Sequence, residues 1–208
     1  MNVRKLAVVD YGTGNLRSVV KAFEHLNAKV FLAQRPQEVQ DAEAIIFPGQ
    51  GSYDNCMASL RKSGLDRFLK SWISDNRPFF GICLGLQVLF EASEEGDLPG
   101  LGIFKGKAVR FSTASHLKVP HMGWNEVQWD LAQDNWAIKN ISESDQFYFV
   151  HSYHVESNDP RIHLLKSDYG GTFISGIISQ NCIATQFHPE KSQAKGIQLY
   201  RNFLENIC

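Results

Sequence analysis

The sequence has no excess of charge of either sign: 21 lysines and arginines stand against 22 aspartates and glutamates, a formal net charge of −1 over 208 residues. That balance makes no electrostatic case for nucleic acid or an anionic membrane as partner. Cysteine is scarce, and Cys56, Cys83, Cys182 and Cys208 show no paired spacing such as C-x-x-C. Neither a zinc site nor a disulfide framework is indicated. Long apolar runs are missing too, none approaching the ~18 residues that a membrane-crossing helix needs. Met1-Asn2-Val3-Arg4-Lys5 leads straight into an apolar segment without the core of a signal peptide. Repeats, low-complexity tracts and linkers are also lacking. These absences predict a cytoplasmic protein with one domain over residues 1–208, long enough to bury a good core.

What is present alternates in texture. Leu6-Ala7-Val8-Val9 reads as a strand, followed by a helix from Asn15 to about Leu26 with Leu16, Val19, Val20, Phe23 and Leu26 on one face. Strands follow at 30–32 and 44–47, helical segments near 54–62 and 65–74, and then the apolar run Pro78-Phe79-Phe80. This alternation predicts an α/β fold: a doubly wound, mostly parallel sheet flanked by helices, with reactive loops at the carboxyl ends of its strands. After Gly100, hairpin-like runs at 107–111, 125–129, 147–155 and 163–168 predict an antiparallel extension of the sheet, before a final helix near 194–206. Gly12-Thr13-Gly14 invites a dinucleotide-binding reading, but Arg17 stands where that fingerprint needs glycine, so the turn is read as a structural loop.

Three segments carry chemistry. Cys83 sits in Gly81-Ile82-Cys83-Leu84-Gly85, directly after the apolar run and directly before the helical pattern Leu86-Gln87-Val88-Leu89-Phe90. A strand-to-helix elbow forces strained backbone and close packing that a Cβ obstructs, which accounts for the flanking glycines. The thiol should project into a cleft and face the N-terminus of the new helix, whose dipole favours the nucleophilic thiolate. A free cysteine is most often a small buried hydrophobe, and the elbow sets this one apart. Downstream, the buried-strand pattern Ile183-Ala184-Thr185-Gln186-Phe187 ends in His188-Pro189-Glu190-Lys191-Ser192. His188 can point over the same sheet edge as Cys83, while Glu190 folds back on one imidazole nitrogen and leaves the other for the thiol. Alone, His-Pro-Glu is an ordinary surface turn. Finally, Ala44-Ile45-Ile46-Phe47 runs into Pro48-Gly49-Gln50-Gly51-Ser52. Its two glycines let backbone N–H groups approach a ligand as an oxyanion hole requires, although Pro-Gly also marks plain turns.

Together these segments resemble the signature of the class I, triad-type glutamine amidotransferases. Finer matches lie in Val119-Pro120-His121-Met122-Gly123-Trp124-Asn125, Phe147-Tyr148-Phe149-Val150-His151-Ser152-Tyr153, Gln186-Phe187-His188-Pro189-Glu190-Lys191-Ser192 and Asp10-Tyr11-Gly12-Thr13-Gly14-Asn15. They are similar to the glutaminase-subunit family of imidazole glycerol phosphate synthase, and the resemblance runs from Val8 to Phe203. It implies a catalytic triad of Cys83, His188 and Glu190, and an oxyanion hole from Gly49, Gln50, Gly51 and the N–H of Leu84. Gln87, Ser152 and Tyr153 would hold the substrate's amino-acid head, and Asn15, Trp124 and Lys191 would lie on a docking face. No cofactor is implied. His121, His151 and His154 could be mistaken for a metal set; they are assigned to separate loops and strand faces, with structural or interface roles. His25, His116 and His163 receive no functional role.

The resemblance further implies hydrolysis of glutamine to glutamate and ammonia. The ammonia would be channelled to a separate cyclase subunit of (β/α)₈ type, in a heterodimer that forms imidazole glycerol phosphate and aminoimidazole carboxamide ribotide during histidine biosynthesis. Three other readings stay open. One is a paralogous subunit feeding ammonia to a sugar amidation enzyme of surface polysaccharide synthesis. A second is a non-catalytic scaffold, against which the joint presence of Cys83, His188 and Glu190 argues. The third is a cysteine peptidase or deglycase on the same sheet, which Gln87 suits less well.

Overall fold

Every residue of Ala44–Phe47 and of Phe79–Ile82 is buried, as befits strands covered on both faces. The computed structural model describes residues 3–12, 16–112, 117–132 and 135–207. The chain opens with β1 (Lys5–Val9), α1 (Leu16–His25) and β2 (Lys29–Ala33), then β3 (Ala44–Phe47), α2 (Tyr53–Ser63), α3 (Leu65–Ser74), β4 (Phe79–Ile82) and the one-turn α4 (Leu84–Gln87). Next come β5 (Ala92–Ser93), β6 (Lys107–Arg110), β7 (His121–Glu126), β8 (Gln128–Trp129), β9 (Gln146–His151), β10 (Tyr153–Glu156), β11 (His163–Asp168), β12 (Thr172–Ser179), β13 (Cys182–Thr185) and α5 (Gln193–Asn206). Strands β2-β1-β3-β4-β13 are parallel in that order. Beyond β13 the sheet continues antiparallel through β12, β10 and β6, and β11 branches from β12 to reach β8.

Successive side chains of the parallel strands leave the sheet on opposite sides. Ile45 and Phe79 join Tyr53, Leu60, Leu69 and Trp72 beneath α2 and α3, whereas Ile46 and Phe80 join Phe23, Tyr200 and Phe203 beneath α1 and α5. The sheet is therefore doubly wound. Phe80 meets Tyr200 and Phe203 edge-on, with centroids 5.2 and 5.3 Å away. Truncating such a ring costs ~3–5 kcal/mol, so the strand that ends at Cys83 is firmly held. Among the described residues no helix is long and apolar enough to cross a membrane.

The structure corrects the sequence reading in four places. The helix expected after Cys83 is a single turn, Leu84–Gln87. The segment from Leu84 to Phe90 is buried on every side, with no polar face to present to water, and the chain turns away into β5. Strand β12 has no clear sequence pattern because Gly176 interrupts it; a Cβ there would come within 2.8 Å of the Ala184 carbonyl oxygen. The run at 147–155 is two strands bent at Ser152, of which β10 enters the main sheet while β9 pairs with β7 as a separate two-stranded sheet. That pairing sets His121 directly opposite His151, so the histidines assigned to separate faces are brought together. Asn15, His116 and Cys208 lie outside the described residues.

Candidate active site

Cys83 occupies the step between β4 and α4 with φ 54° and ψ −106°. A left-handed φ at a non-glycine residue costs on the order of 1–3 kcal/mol and persists only where its surroundings enforce it. Here the Cys83 N–H donates to the Thr185 carbonyl at 2.7 Å, tying the elbow to β13. The neighbouring chain is packed too closely for side chains: a Cβ on Gly49 would lie 2.5 Å from the amide nitrogens of Leu84 and Gly85. The elbow and the Gly49–Gln50–Gly51 loop are thus one packed unit. The helix after the elbow is only four residues long and makes little macrodipole.

His188 follows β13, and Pro189–Lys191 forms a 3₁₀ turn after it. Its backbone is fastened at both ends: the N–H donates to the Tyr148 carbonyl at 2.9 Å, and its carbonyl accepts from Ser192 Oγ at 2.6 Å. Nδ1 lies 2.8 Å from Glu190 Oε1, with both side chains buried. Tyr200, buried in α5, donates to the other carboxylate oxygen at 3.3 Å. The same imidazole and the Cys83 thiol line one cavity. Burial disfavours the imidazolium, but hydrogen bonds and charge from Cys83 and Glu190 outweigh it and raise His188 from 6.5 to about 9. The direction of that shift favours a ring that can act as a proton donor.

The thiol opens on a cavity of about 460 Å³ whose wall includes Gly49, Gln50, Gly51 and Leu84. Tyr11, stacked on Phe47, places its hydroxyl 2.7 Å from the Gln50 carbonyl oxygen and 2.9 Å from the Gln50 nitrogen. Since the following peptide is planar and trans, the Gly51 N–H faces away from Tyr11. Across the cavity, the buried Gln87 donates from Nε2 to the Tyr153 carbonyl (3.2 Å) and to Gln186 Oε1 (3.1 Å). Ser152 and Tyr153 also line the cavity, and the Ser152 carbonyl accepts from the Phe111 N–H.

Two residues of the site escape a reading of the sequence. Gln186 donates from Nε2 to Cys83 Sγ at 3.4 Å, and its signal is a polar residue inside an otherwise apolar strand pattern. Glu95 lines the cavity; its carboxyl is raised above the usual value, mainly by burial. In Ser93-Glu94-Glu95-Gly96 it looks like one of two solvated charges. Trp124 and Lys191 share a face beside the cavity: Trp124, 44% exposed, packs on Tyr148 with centroids 6.0 Å apart, and Lys191 Nζ lies 5.9 Å above that same ring. Met122, 62% exposed, extends the patch. Among the described residues no group of three or more His, Cys, Asp or Glu side chains is placed to hold a metal ion.

A thiol, a buried His–Glu pair and a glycine loop around one cavity are an arrangement suited to acyl transfer of the thiol-dependent class. Residues 7–207 match the glutamine amidotransferase class-I family, and the chain belongs to it. Imidazole glycerol phosphate synthase subunit HisH of Chromobacterium violaceum is 45% identical over 208 residues, covering 96% of this chain and 97% of its own. The protein of that name from Acinetobacter baylyi is also 45% identical, with 97% and 98% covered, and that of Thermosynechococcus vestitus is 44% identical, with 98% of each covered. Among solved structures, PurLQS of Thermotoga maritima shares the fold at a TM-score of 0.78 and 17% identity, covering 99% of this chain and 100% of that one. A glutamine amidotransferase of the same organism aligns at a TM-score of 0.65 and 15% identity, covering 99% and 85%.

Proposed function

We propose that this chain, acting as one domain over its whole length, is the glutaminase subunit of a cytoplasmic imidazole glycerol phosphate synthase. The observation that carries the chemistry is the buried His188–Glu190 pair, 2.8 Å apart, with the imidazole on the same cavity as the Cys83 thiol. The Cys83 thiolate attacks the side-chain amide carbon of glutamine, and the oxyanion forms against the N–H groups of Leu84 and of the Gly49–Gln50–Gly51 loop. His188 gives its proton to the departing nitrogen, so ammonia leaves and a thioester remains. The ring then takes a proton from water, which adds to the thioester carbon and releases glutamate as sulfur departs. Glu190 keeps the ring oriented and its charged form favoured.

Glutamine's head carries an ammonium and a carboxylate. Glu95 suits the ammonium, while Gln87 and the Ser152–Tyr153 bend delimit the space for the rest of the head. Glu95→Gln is expected to raise KM roughly 10- to 100-fold with a much smaller change in kcat, because it removes binding shared by ground and transition states. Glutamine titrations of the two proteins measure the split; an unchanged KM removes Glu95 from the site.

Its partner is a cyclase, as the name borne by the relatives suggests, docked on the face that carries Trp124 and Lys191 and, outside the described residues, Asn15. Ammonia passes to that partner, where the second reaction takes place. The isolated chain is expected to be a poor glutaminase that gains at least about tenfold, ~1.4 kcal/mol in barrier, when cyclase and its ligand shift the oxyanion loop toward its active form. Lys191→Ala should weaken the stimulated rate more than the basal one. Glutamate release by the chain with and without cyclase is the test. Equal rates would mean a fixed oxyanion hole and a free-standing glutaminase.

A further inference from the structure

We infer that His121 and His151 are positioning residues of the glutamine site: they hold the Tyr153 carbonyl, which also accepts from Gln87, and Gln87 in turn donates to Gln186, whose amide donates to the sulfur of Cys83. The inference rests on the glutaminase reading above, and extends it to His151, which lines the cavity wall, and to His121 behind it. His151 Nδ1 lies 2.8 Å from the Tyr153 carbonyl oxygen. A carbonyl only accepts, so Nδ1 carries the proton and, in the neutral ring, Nε2 is an acceptor. His121 Nδ1 lies 3.0 Å from that Nε2 and must be the donor. His121 Nε2 is then an acceptor in turn, facing Asn125 Nδ2 at 3.4 Å, whose amide also donates to the Asp168 carbonyl at 2.8 Å. Each ring thus has one permitted tautomer.

Burial supports that assignment. His121 and His151 are 3% and 5% exposed and packed among Phe111, Phe149 and Phe173. Desolvation pushes them down to about 4 and about 3, so both are neutral wherever an enzyme of this kind works. Protonating either would set N–H against N–H.

The other end of the chain is the active site. The Tyr153 carbonyl takes a second hydrogen bond from Gln87 Nε2, whose other hydrogen goes to Gln186 Oε1, and Gln186 Nε2 donates to Cys83 Sγ. Gln87 and Gln186 are buried as well. If either amide flipped, an oxygen would face an oxygen, or the sulfur. With the chain intact, Gln186 can present only an N–H to the sulfur, which holds the sulfur in one orientation towards the cavity. The His151 hydrogen bond also spans the bend at Ser152, where β9 passes into β10 and the cavity wall is made. Losing its donor releases the Tyr153 carbonyl, and with it the acceptor that orients Gln87 and, through it, Gln186.

The test uses the full chain with its cyclase partner. His151→Phe keeps a ring but removes the donor, whereas His151→Asn places an amide N–H near the position of Nδ1. His151→Phe is expected to lower kcat/KM about 10²-fold, through both kcat and KM, and to slow alkylation of Cys83 by iodoacetamide at neutral pH. His151→Asn should recover most of the loss. Histidine nitrogen NMR on the unmodified protein should show both rings neutral and protonated at Nδ1 between about pH 5.5 and 8. A role confined to packing predicts less folded protein with kcat and KM unchanged. The inference is overturned by a folded His151→Phe protein with unaltered kcat and KM, by an equal loss in His151→Asn, or by an Nε2–H tautomer at either ring. Should His151→Phe not fold, the tautomers decide. If the unmodified complex releases no glutamate, the glutaminase reading falls, and the tautomers still decide whether the chain exists.

Discussion

Replacing Cys83 by alanine is expected to abolish glutamine hydrolysis, a loss of about 10⁴-fold or more, because it removes the sulfur that forms the covalent intermediate. The fold should survive. Cys83 is only partly buried, and the strain at φ 54° is set by the backbone around Gly81, Gly49 and Gly85, which the substitution leaves in place. On the docking face proposed above, partner binding should be retained too, since the substitution alters neither Trp124 nor Lys191. Glutamate release measured by a coupled assay, beside a thermal melt, separates these expectations. A variant with appreciable turnover would mean that water attacks glutamine directly and that sulfur is not the nucleophile.

Loss of His188 should be nearly as severe. His188→Ala removes the acid that protonates the leaving nitrogen and the base that activates water, and triad members act as a unit, so a deficit on the order of 10⁴-fold is expected. Glu190→Gln disturbs orientation and charge without removing a proton carrier, and should lose less, on the order of 10²-fold. If Glu190→Gln were harmless, Glu190 would be a turn residue and the site a dyad. The pH dependence has a definite sign. Burial pulls His188 down, but Cys83 and Glu190 outweigh it and hold the ring at about 9, above 6.5. The folded chain thus binds this proton more tightly than the unfolded chain. The associated stability is fully present below about pH 6.5 and is lost as pH rises through about 9. Catalysis should fall on the same alkaline limb as the imidazolium loses its proton. Glu190→Gln removes one of the raising influences, so kcat/KM profiles should show that limb moving to lower pH.

What can be read from the sequence is what local chemistry dictates. Gly81 and Gly85 around a thiol, an unbroken apolar strand before it, and His-Pro-Glu after another buried strand point to the carboxyl edge of the parallel sheet, where Cys83, His188 and Glu190 are found. Features that depend on distant partners are harder to see. Gly176 weakens the pattern of β12 because a glycine is required beside Ala184 and Leu165, a fact of packing invisible in the chain itself. The apolar segment after Cys83 reads as a helix, yet it is surrounded on all sides and ends after one turn. The register of β7 on β9 alone brings His121 to His151, which stand 30 residues apart in sequence. Gln186 and Glu95 are obscure for related reasons, one hidden within a strand pattern and the other within a run of acidic residues.

Labelling with a glutamine-analogue electrophile, followed by peptide mass spectrometry, tests the central claim most directly. Cys56 and Cys182 are buried and their thiols pushed up by desolvation, Cys182 to about 12, so neither offers a thiolate near neutral pH. One adduct on Cys83 is predicted, suppressed by glutamine in proportion to its occupancy of the cavity and slowed sharply in His188→Ala. Modification spread evenly over the cysteines, or a Cys83 adduct indifferent to glutamine, would contradict the account.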